Sequence, residues 1–457
     1  MYEKLYAHCL FPMIQRLLGR NTLSVIKELE EAQWYPQEQM REIQLEKLKA
    51  LVDHAAERVP YYRKLFRRLG IIPSDIQSFE DFAALPILDK EEIKADYHPF
   101  ISESAKNYSI VRTGGSTGAP LQYPVDERTR SHHIADMIAA RRWWGIDTDD
   151  KQMLFWGHGA SLASGMRGQI QKVSQVLKDK TAHRMRCSAY KLSDEELYGY
   201  YERMVRFQPH FIYSYASAVY LFADFVHRRR LDMNLVPLKG VITTSEVLYE
   251  KERERIEASL TAPVINEYGM TEVGIIAYSC PEGNMHVMDP SVYVEKLPVK
   301  DSDSPHVSEI IVTPLSNLAA PLIRYRTGDL VQVSDDKGCP CGRNFSLLGK
   351  VMGRTHDLIQ TMDGKRVYGG FFTYVLEHVP GIRQFQIVQD NLSHFNINVV
   401  REPDIYQDKS EPEIESRFKK MLGNSVSIDF NYVPTVEADP SGKHRYVISK
   451  IRQREVQ

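Results

Sequence analysis

Between about residue 108 and residue 275, short β-rich runs alternate with long helical patterns, and this alternation limits the fold more than any other feature of the chain. The runs YSIVRT, MLFWG, PHFIYSY, KGVITTSE and APVINEYG are spaced by helix-period stretches at 126–144, 193–207, 216–230 and 247–260. Strands separated by whole helices are joined by crossovers, so the spacing predicts a layered α/β domain with a largely parallel sheet. Before it, residues 38–58 read as a packing helix stopped by the Pro of VPYYRKLFRRLG. From 285 to 348 strands and turns dominate, predicting a β-rich lobe on the α/β core. Beyond Gly353 the order is strand, helix, two strands, helix, strand and polar tail, which predicts a small α+β domain. The expected division is a large domain over 1–355 and a small, mobile one over 356–457.

A chain of 457 residues is longer than one hydrophobic core usually serves, in keeping with that division. With 58 Lys and Arg against 60 Asp and Glu the formal charge is -2, which removes the electrostatic case for nucleic acid and leaves a small molecule as the expected partner. No run reaches the ~18 apolar residues that span a bilayer, and the opening MYEKLYAHCLFPMIQRLLGR lacks a small-residue cleavage site, so a cytoplasmic, non-transmembrane protein is expected. That opening segment is mildly amphipathic; packing on its own protein is expected, with contact to a membrane surface as the lesser alternative.

Five cysteines without a signal peptide argue against a disulfide framework and leave reduced thiols or metal ligands. Cys280 and His286, with five residues between them, are followed far downstream by Cys339-Pro-Cys341. Three thiols and an imidazole make a closed set suited to a structural tetrahedral Zn²⁺, which would clamp the β-rich lobe to the core.

The stretch SIVRTGGSTGAPLQYPV contains Gly114 to Gly118, which fits two incompatible patterns. As G-x-S-x-G it is a serine-hydrolase nucleophile elbow with Ser116 as nucleophile; as a Gly/Ser/Thr turn it is a phosphate cradle. An elbow needs a helix directly after the Ser, whereas here Ala119-Pro120 leads into LQYPV, which alternates like a strand. Strand, loop, strand is the better reading, and its backbone N–H groups with the hydroxyls of Thr113, Ser116 and Thr117 suit phosphate oxygens.

In chain order INEYGMTEVG, PLIRYRTGDL, LGKVMGRTHDLI and PSGKHRY follow. With them the sequence resembles the adenylate-forming superfamily of acyl-coenzyme A synthetases over about 110–446. VPYYR, RTGGSTGAPL and CPCGR are most similar to its phenylacetate-coenzyme A ligase group, and GIRQFQIVQD with PSGKHRYVIS resembles the branch associated with capsular-polysaccharide biosynthesis. The resemblance implies an ATP-dependent ligase in which a carboxylate attacks the α-phosphorus in line to give an acyl-adenylate. Thr113, Gly114, Gly115, Ser116, Thr117 and Gly118 would hold the β- and γ-phosphates. Thr271 would bond the α-phosphate and Glu272 would hold Mg²⁺. Tyr268 and Gly269 would line the adenine with Ser245 and Glu246, and Glu267 belongs to the same nucleotide set. Asp329 would accept both ribose hydroxyls, with Arg354 beside the ribose. Lys443 would stabilise the transition state, delivered by the small domain through a hinge matched to His356. His158, Tyr213 and Tyr215 are candidate walls of the acyl pocket.

The acyl acceptor is expected to be coenzyme A, giving a thioester; an amine of an amino acid or amino sugar, giving an amide, is the alternative. A serine hydrolase and a degenerate nucleotide-binding scaffold are the remaining rivals, the latter opposed by the presence together of Glu272, Asp329 and Lys443. A homodimer is open by family analogy.

Overall fold

The computed structural model describes residues 2–112, 121–157, 165–299, 306–333, 338–354, 358–362, 366–402, 405–406, 410–439 and 443–451. An antiparallel pair, Tyr108–Arg112 (β1) and Gln122–Asp126 (β2), with Arg112 opposite Gln122, precedes the main sheet. That sheet contains Gln152–Trp156 (β3), Arg184–Ser188 (β4), Phe211–Tyr215 (β5), Gly240–Thr244 (β6), Val264–Met270 (β7), Gly274–Ser279 (β8) and Met285–Val287 (β9). Its order is β4-β3-β5-β6-β7-β8-β9; the first five are parallel, and β8 and β9 add antiparallel.

Helices Gly165–Thr181, Asp194–Phe207, Ala216–Arg228 and Glu250–Leu260 supply the four crossovers. Local chemistry sets where helices begin. Asp126 accepts the Thr129 N–H ahead of helix Glu127–Arg142, and the Ser193 hydroxyl accepts from Glu196 at the next cap but one. Every residue of β6 is buried, as expected of a central parallel strand covered on both faces. One core packs Phe155 against Phe222 and Tyr200, with ring centroids 5.3 and 5.7 Å apart, and extends through Met204, Ile212 and Val219.

Two elements lie where no strong period announced them. Helix Gly165–Thr181 opens in glycine-containing sequence, and β4 reads Arg-Met-Arg-Cys-Ser, an edge strand with no β-branched residue.

The chain divides into two compact units, Met1–Glu295 with Ile311–Thr327 and Ser334–Gly349, and Lys296–Ile310 with Gly328–Val333 and Lys350–Gln457. Strands Val292–Pro298 (β10), Val307–Pro314 (β11), Tyr325–Gln332 (β12) and Lys350–Arg354 (β13) form a sheet in that order, and the chain passes between units within the first three. The second unit also holds the pair Leu358–Gln360 (β14) and Arg366–Tyr368 (β15) and a sheet of Ile382–Asn391 (β16), His394–Arg401 (β17), Ser427–Tyr432 (β18) and Val447–Ser449 (β19) in the order β18-β17-β16-β19. Helices Gly370–Glu377 and Ser410–Leu422 pack there through Phe372 and Phe418, centroids 4.7 Å apart. The segment expected to be a polar tail thus contributes β19, parallel to β16. Among the described residues no helix is long and apolar enough to cross a membrane.

In the first unit, early helices are tied to late segments. Buried Gln44 donates to the Asp289 carbonyl at 2.9 Å, across 245 residues of chain, and the Tyr62 hydroxyl donates to the Pro321 carbonyl at 3.0 Å. The Asp136 carboxyl is fully buried and accepts from the Ser291 hydroxyl at 2.6 Å. Burial lifts its pKa to about 7 from the ordinary 3.8. A folded-state pKa above the unfolded one means this carboxyl favours folding fully below pH ~4 and loses that contribution as pH rises through ~7. Asp136→Asn keeps the accepting oxygen, so it is expected to stabilise the protein by on the order of 2–4 kcal/mol at pH 8 and by little at pH 4. Urea denaturation at the two pH values checks this; equal effects at both would refute it.

Candidate active site and metal centre

Parallel α/β sheets bind ligands beyond the carboxyl ends of their strands. Here the register sets Tyr215 beside Thr244 and Thr244 beside Glu267, so β5 and β6 end together while β7 runs on to Met270. At that end Trp156 stacks on Tyr213, centroids 5.6 Å and planes 11° apart, and lies 4.5 Å from Tyr215. The Arg141 guanidinium covers the Tyr213 ring at 4.9 Å. The Tyr213 hydroxyl donates to Glu267 at 2.7 Å. Burial raises the pKa of both groups, with the neighbouring negative charge also raising that of Tyr213.

Ser245, leaving β6, is exposed and has φ 70°. Glu246, expected beside adenine, uses both carboxylate oxygens on Ser217, accepting its N–H at 2.8 Å and its hydroxyl at 3.0 Å. A carboxylate on the first turn of helix Ala216–Arg228 complements the helix dipole, a role the sequence did not signal.

The motif INEYGMTEVG forms β7, a three-residue turn and the start of β8. Its glycines are steric necessities. A Cβ on Gly269 would lie 2.5 Å from the Gly274 carbonyl oxygen, beside an irregularity in the β7–β8 register. Gly274 has φ +92°, and a Cβ there would lie 2.4 Å from the His133 ring. His133 is itself held neutral, its pKa pushed down to about 4 by burial. In the turn Thr271 is exposed, whereas Glu272 is buried and accepts from the Tyr325 hydroxyl at 3.0 Å. Tyr325 lies within PLIRYRTGDL, yet nothing in sequence marked it as the partner of a residue 53 positions earlier.

In the second unit Asp329 on β12 stands opposite Arg354 on β13, with Oδ1 3.5 Å from Nε, which brings these two predicted residues together. Lys443 is part-buried and its main chain is tied to Asp439: its N–H donates to the carboxylate at 3.1 Å, and its carbonyl accepts the Asp439 N–H at 2.8 Å. Thr113 to Gly118, His158 and the hinge match His356 lie outside the described residues. On either side of the first of these, β1 and β2 pair antiparallel.

Cys280, His286, Cys339 and Cys341 come together, their ligand atoms all within 4.8 Å of one another. Cys280 Sγ lies 3.6 Å from Cys339 Sγ, and Cys341 Sγ lies 3.3 Å from His286 Nε2. Two sulfurs on one tetrahedral zinc stand roughly 3.8 Å apart for Zn–S bonds of about 2.3 Å, so the spacing fits. The ring is also oriented for ligation. His286 Nδ1 is 2.8 Å from the Phe345 carbonyl; a carbonyl only accepts, so Nδ1 carries the proton and Nε2 faces the thiols with its lone pair.

Residues 359–450 match the CapK C-terminal domain family. Over 417 residues the chain is 20% identical to protein CapK of Staphylococcus aureus, covering 90% of this chain and 89% of that protein. A phenylacetate-coenzyme A ligase of Thermus thermophilus is 24% identical over 90% of this chain and 88% of its own length, and one from Pseudomonas putida is 28% identical over 76% of each. Among solved structures, 2-hydroxyisobutyryl-CoA ligase in the postadenylation state has the same fold, with a TM-score of 0.73 at 19% identity and coverage of 92% of this chain and 91% of that one.

The Cys₃His geometry predicts that the purified protein takes up about one Co²⁺ or Zn²⁺ per chain, with the thiolate-to-cobalt absorption of tetrahedral coordination. Cys339→Ser should weaken uptake and lower the melting temperature. Absence of the cobalt band in reduced, metal-free protein would refute the site.

Proposed function

We propose that this chain, which belongs by sequence with CapK and the phenylacetate-coenzyme A ligases and by fold with the acyl-CoA ligases of the adenylate-forming superfamily, joins a carboxylic acid to coenzyme A at the expense of ATP. In the first half-reaction a carboxylate oxygen attacks the α-phosphorus and pyrophosphate leaves. In the second the thiol of coenzyme A attacks the acyl carbon, AMP leaves and the thiol proton is released.

The observation that carries this reading is the β7–β8 turn, where exposed Thr271 adjoins a buried carboxylate held by a phenol. Glu272 would hold Mg²⁺, which neutralises charge on the phosphate oxygens when bound. One oxygen of Glu272 is steadied by Tyr325, as expected for a ligand that must keep its orientation. Thr271 would donate to the α-phosphate, and the loop Thr113–Gly118 would cradle the outer phosphates. Tyr268, Gly269, Ser245, Glu246 and Glu267 would border the adenine side. Asp329, oriented by Arg354, would accept from the ribose hydroxyls. Trp156, Tyr213 and Tyr215 would wall the body of the acid, a role the sequence also gives His158. Lys443 would bring its ammonium to the α-phosphate as negative charge grows there. Cys280, His286, Cys339 and Cys341 would hold zinc in a structural role.

Acid-dependent exchange of labelled pyrophosphate into ATP, run over an acid panel with hydroxylamine trapping, tests the first half-reaction without assuming the acceptor. Glu272→Gln is expected to depress exchange by on the order of a hundredfold, with the Mg²⁺ requirement shifted to higher concentration. Unchanged Mg²⁺ dependence would remove the metal role.

Lys443→Ala should lose roughly a hundredfold or more in adenylation while keeping ATP binding and near-normal transfer from presynthesised acyl-adenylate to coenzyme A. Adenylation within a few-fold of the parent would make Lys443 a surface residue. Transfer to an amine with coenzyme A inert would overturn the thioester half alone.

A further inference from the structure

The opening segment packs on its own protein through Phe11, as expected, but leaves other apolar residues uncovered. Among the side chains described over 4–18, Phe11 and Gln15 are buried, while Leu5, Met13, Leu17 and Leu18 are exposed, Leu17 at 77%. Helix Gly165–Thr181 adds Val173, Val176 and Leu177, exposed by 62, 53 and 60%. The two stretches form one face. Tyr6 meets the His183 ring edge-on at 6.2 Å, and a groove of about 830 Å³ runs between them, lined by Tyr6, Ile14, Val173, Leu177, Lys178 and Arg184. An apolar surface of this kind on a soluble fold marks an interaction site.

Its charge identifies the partner. Lys4, Arg16, Lys178 and Lys180 are exposed around the apolar side chains, and Arg184 lines the groove. In residues 2–18 and 173–184 the acids are Glu3 and Asp179, and Asp179 is buried and bonded to Arg186 at 2.9 Å. A positive face on a chain of formal charge -2 is a local asymmetry rather than a reflection of composition. A second copy meeting this face symmetrically would set cation against cation. We propose instead that it binds the surface of an anionic lipid bilayer, the leucines and valines entering the acyl boundary while the lysines and arginines reach the phosphates. No membrane-crossing helix is required; the chain would lie on the membrane and remain otherwise in water.

The test is co-sedimentation of the full-length protein with phosphatidylglycerol vesicles and with phosphatidylcholine vesicles. Binding to the first, weakened by salt, and much weaker binding to the second are expected. Leu17→Glu with Leu177→Glu, and separately Lys178→Glu with Lys180→Glu, should each lower the partition coefficient by on the order of tenfold or more. Because these side chains are exposed and outside the catalytic residues, melting temperature and pyrophosphate exchange should stay at parent values, which separates lost binding from lost folding. Absence of binding to phosphatidylglycerol vesicles, equal binding to both lipids, or variants that bind like the parent would overturn the proposal. So would a dimer in sedimentation velocity that Leu17→Glu with Leu177→Glu dissolves in a protein indifferent to vesicles, which would assign the face to a second copy.

Discussion

Main-chain pairing between β5, β6 and β7 is the constraint on which the rest of the first unit depends. Parallel strands cannot be joined by tight turns, so each must be followed by a helix, and the helices in turn bury both faces of the sheet. The pairing also fixes which residues finish together. A slip of one residue between β6 and β7 would turn Glu267 to the opposite face, away from the Tyr213 hydroxyl that it accepts. The aromatic wall and the carboxylate turn are therefore consequences of register before they are features of chemistry.

Much of this was legible in the sequence because it is local. Three of the four crossover helices reveal themselves by period, helix Gly165–Thr181 being the exception. The Cys280, His286, Cys339, Cys341 set was legible for a different reason: few other uses exist for three thiols and an imidazole in a chain of this kind. What escaped was pairwise and distant. Tyr325 steadying Glu272, Glu246 spending its carboxylate on a helix terminus, and Arg141 over Tyr213 each depend on where two remote segments meet. β4 escaped because an edge strand of alternating Arg and sulfur-bearing residues has little β character of its own.

The polar groups around the site fall into two kinds. Some are satisfied within the protein, such as Glu246 on Ser217 and the Tyr213 hydroxyl on Glu267, and these hold the architecture. Others sit at exposed turns beside them, such as Thr271 and Ser245, where under the proposed function a ligand would complete the bonding. Rigid neighbours allow that completion to be geometrically demanding, since the donors and acceptors do not have to be gathered when the ligand arrives.

The bonds from Gln44 to Asp289 and from Tyr62 to Pro321 bear on how the protein is made. A ribosome adding about 5–20 residues per second needs roughly 12–50 seconds to extend the chain across the 245 residues that separate Gln44 from its acceptor. Throughout that interval the Gln44 amide is without its Asp289 acceptor, and the region that carries that acceptor is not there to cover the helix. Partners from the first third of the chain, such as helix Glu127–Arg142 for helix Thr22–Ala32, are made long before these two acceptors, so the first helices are only partly housed until residue 321 has been added.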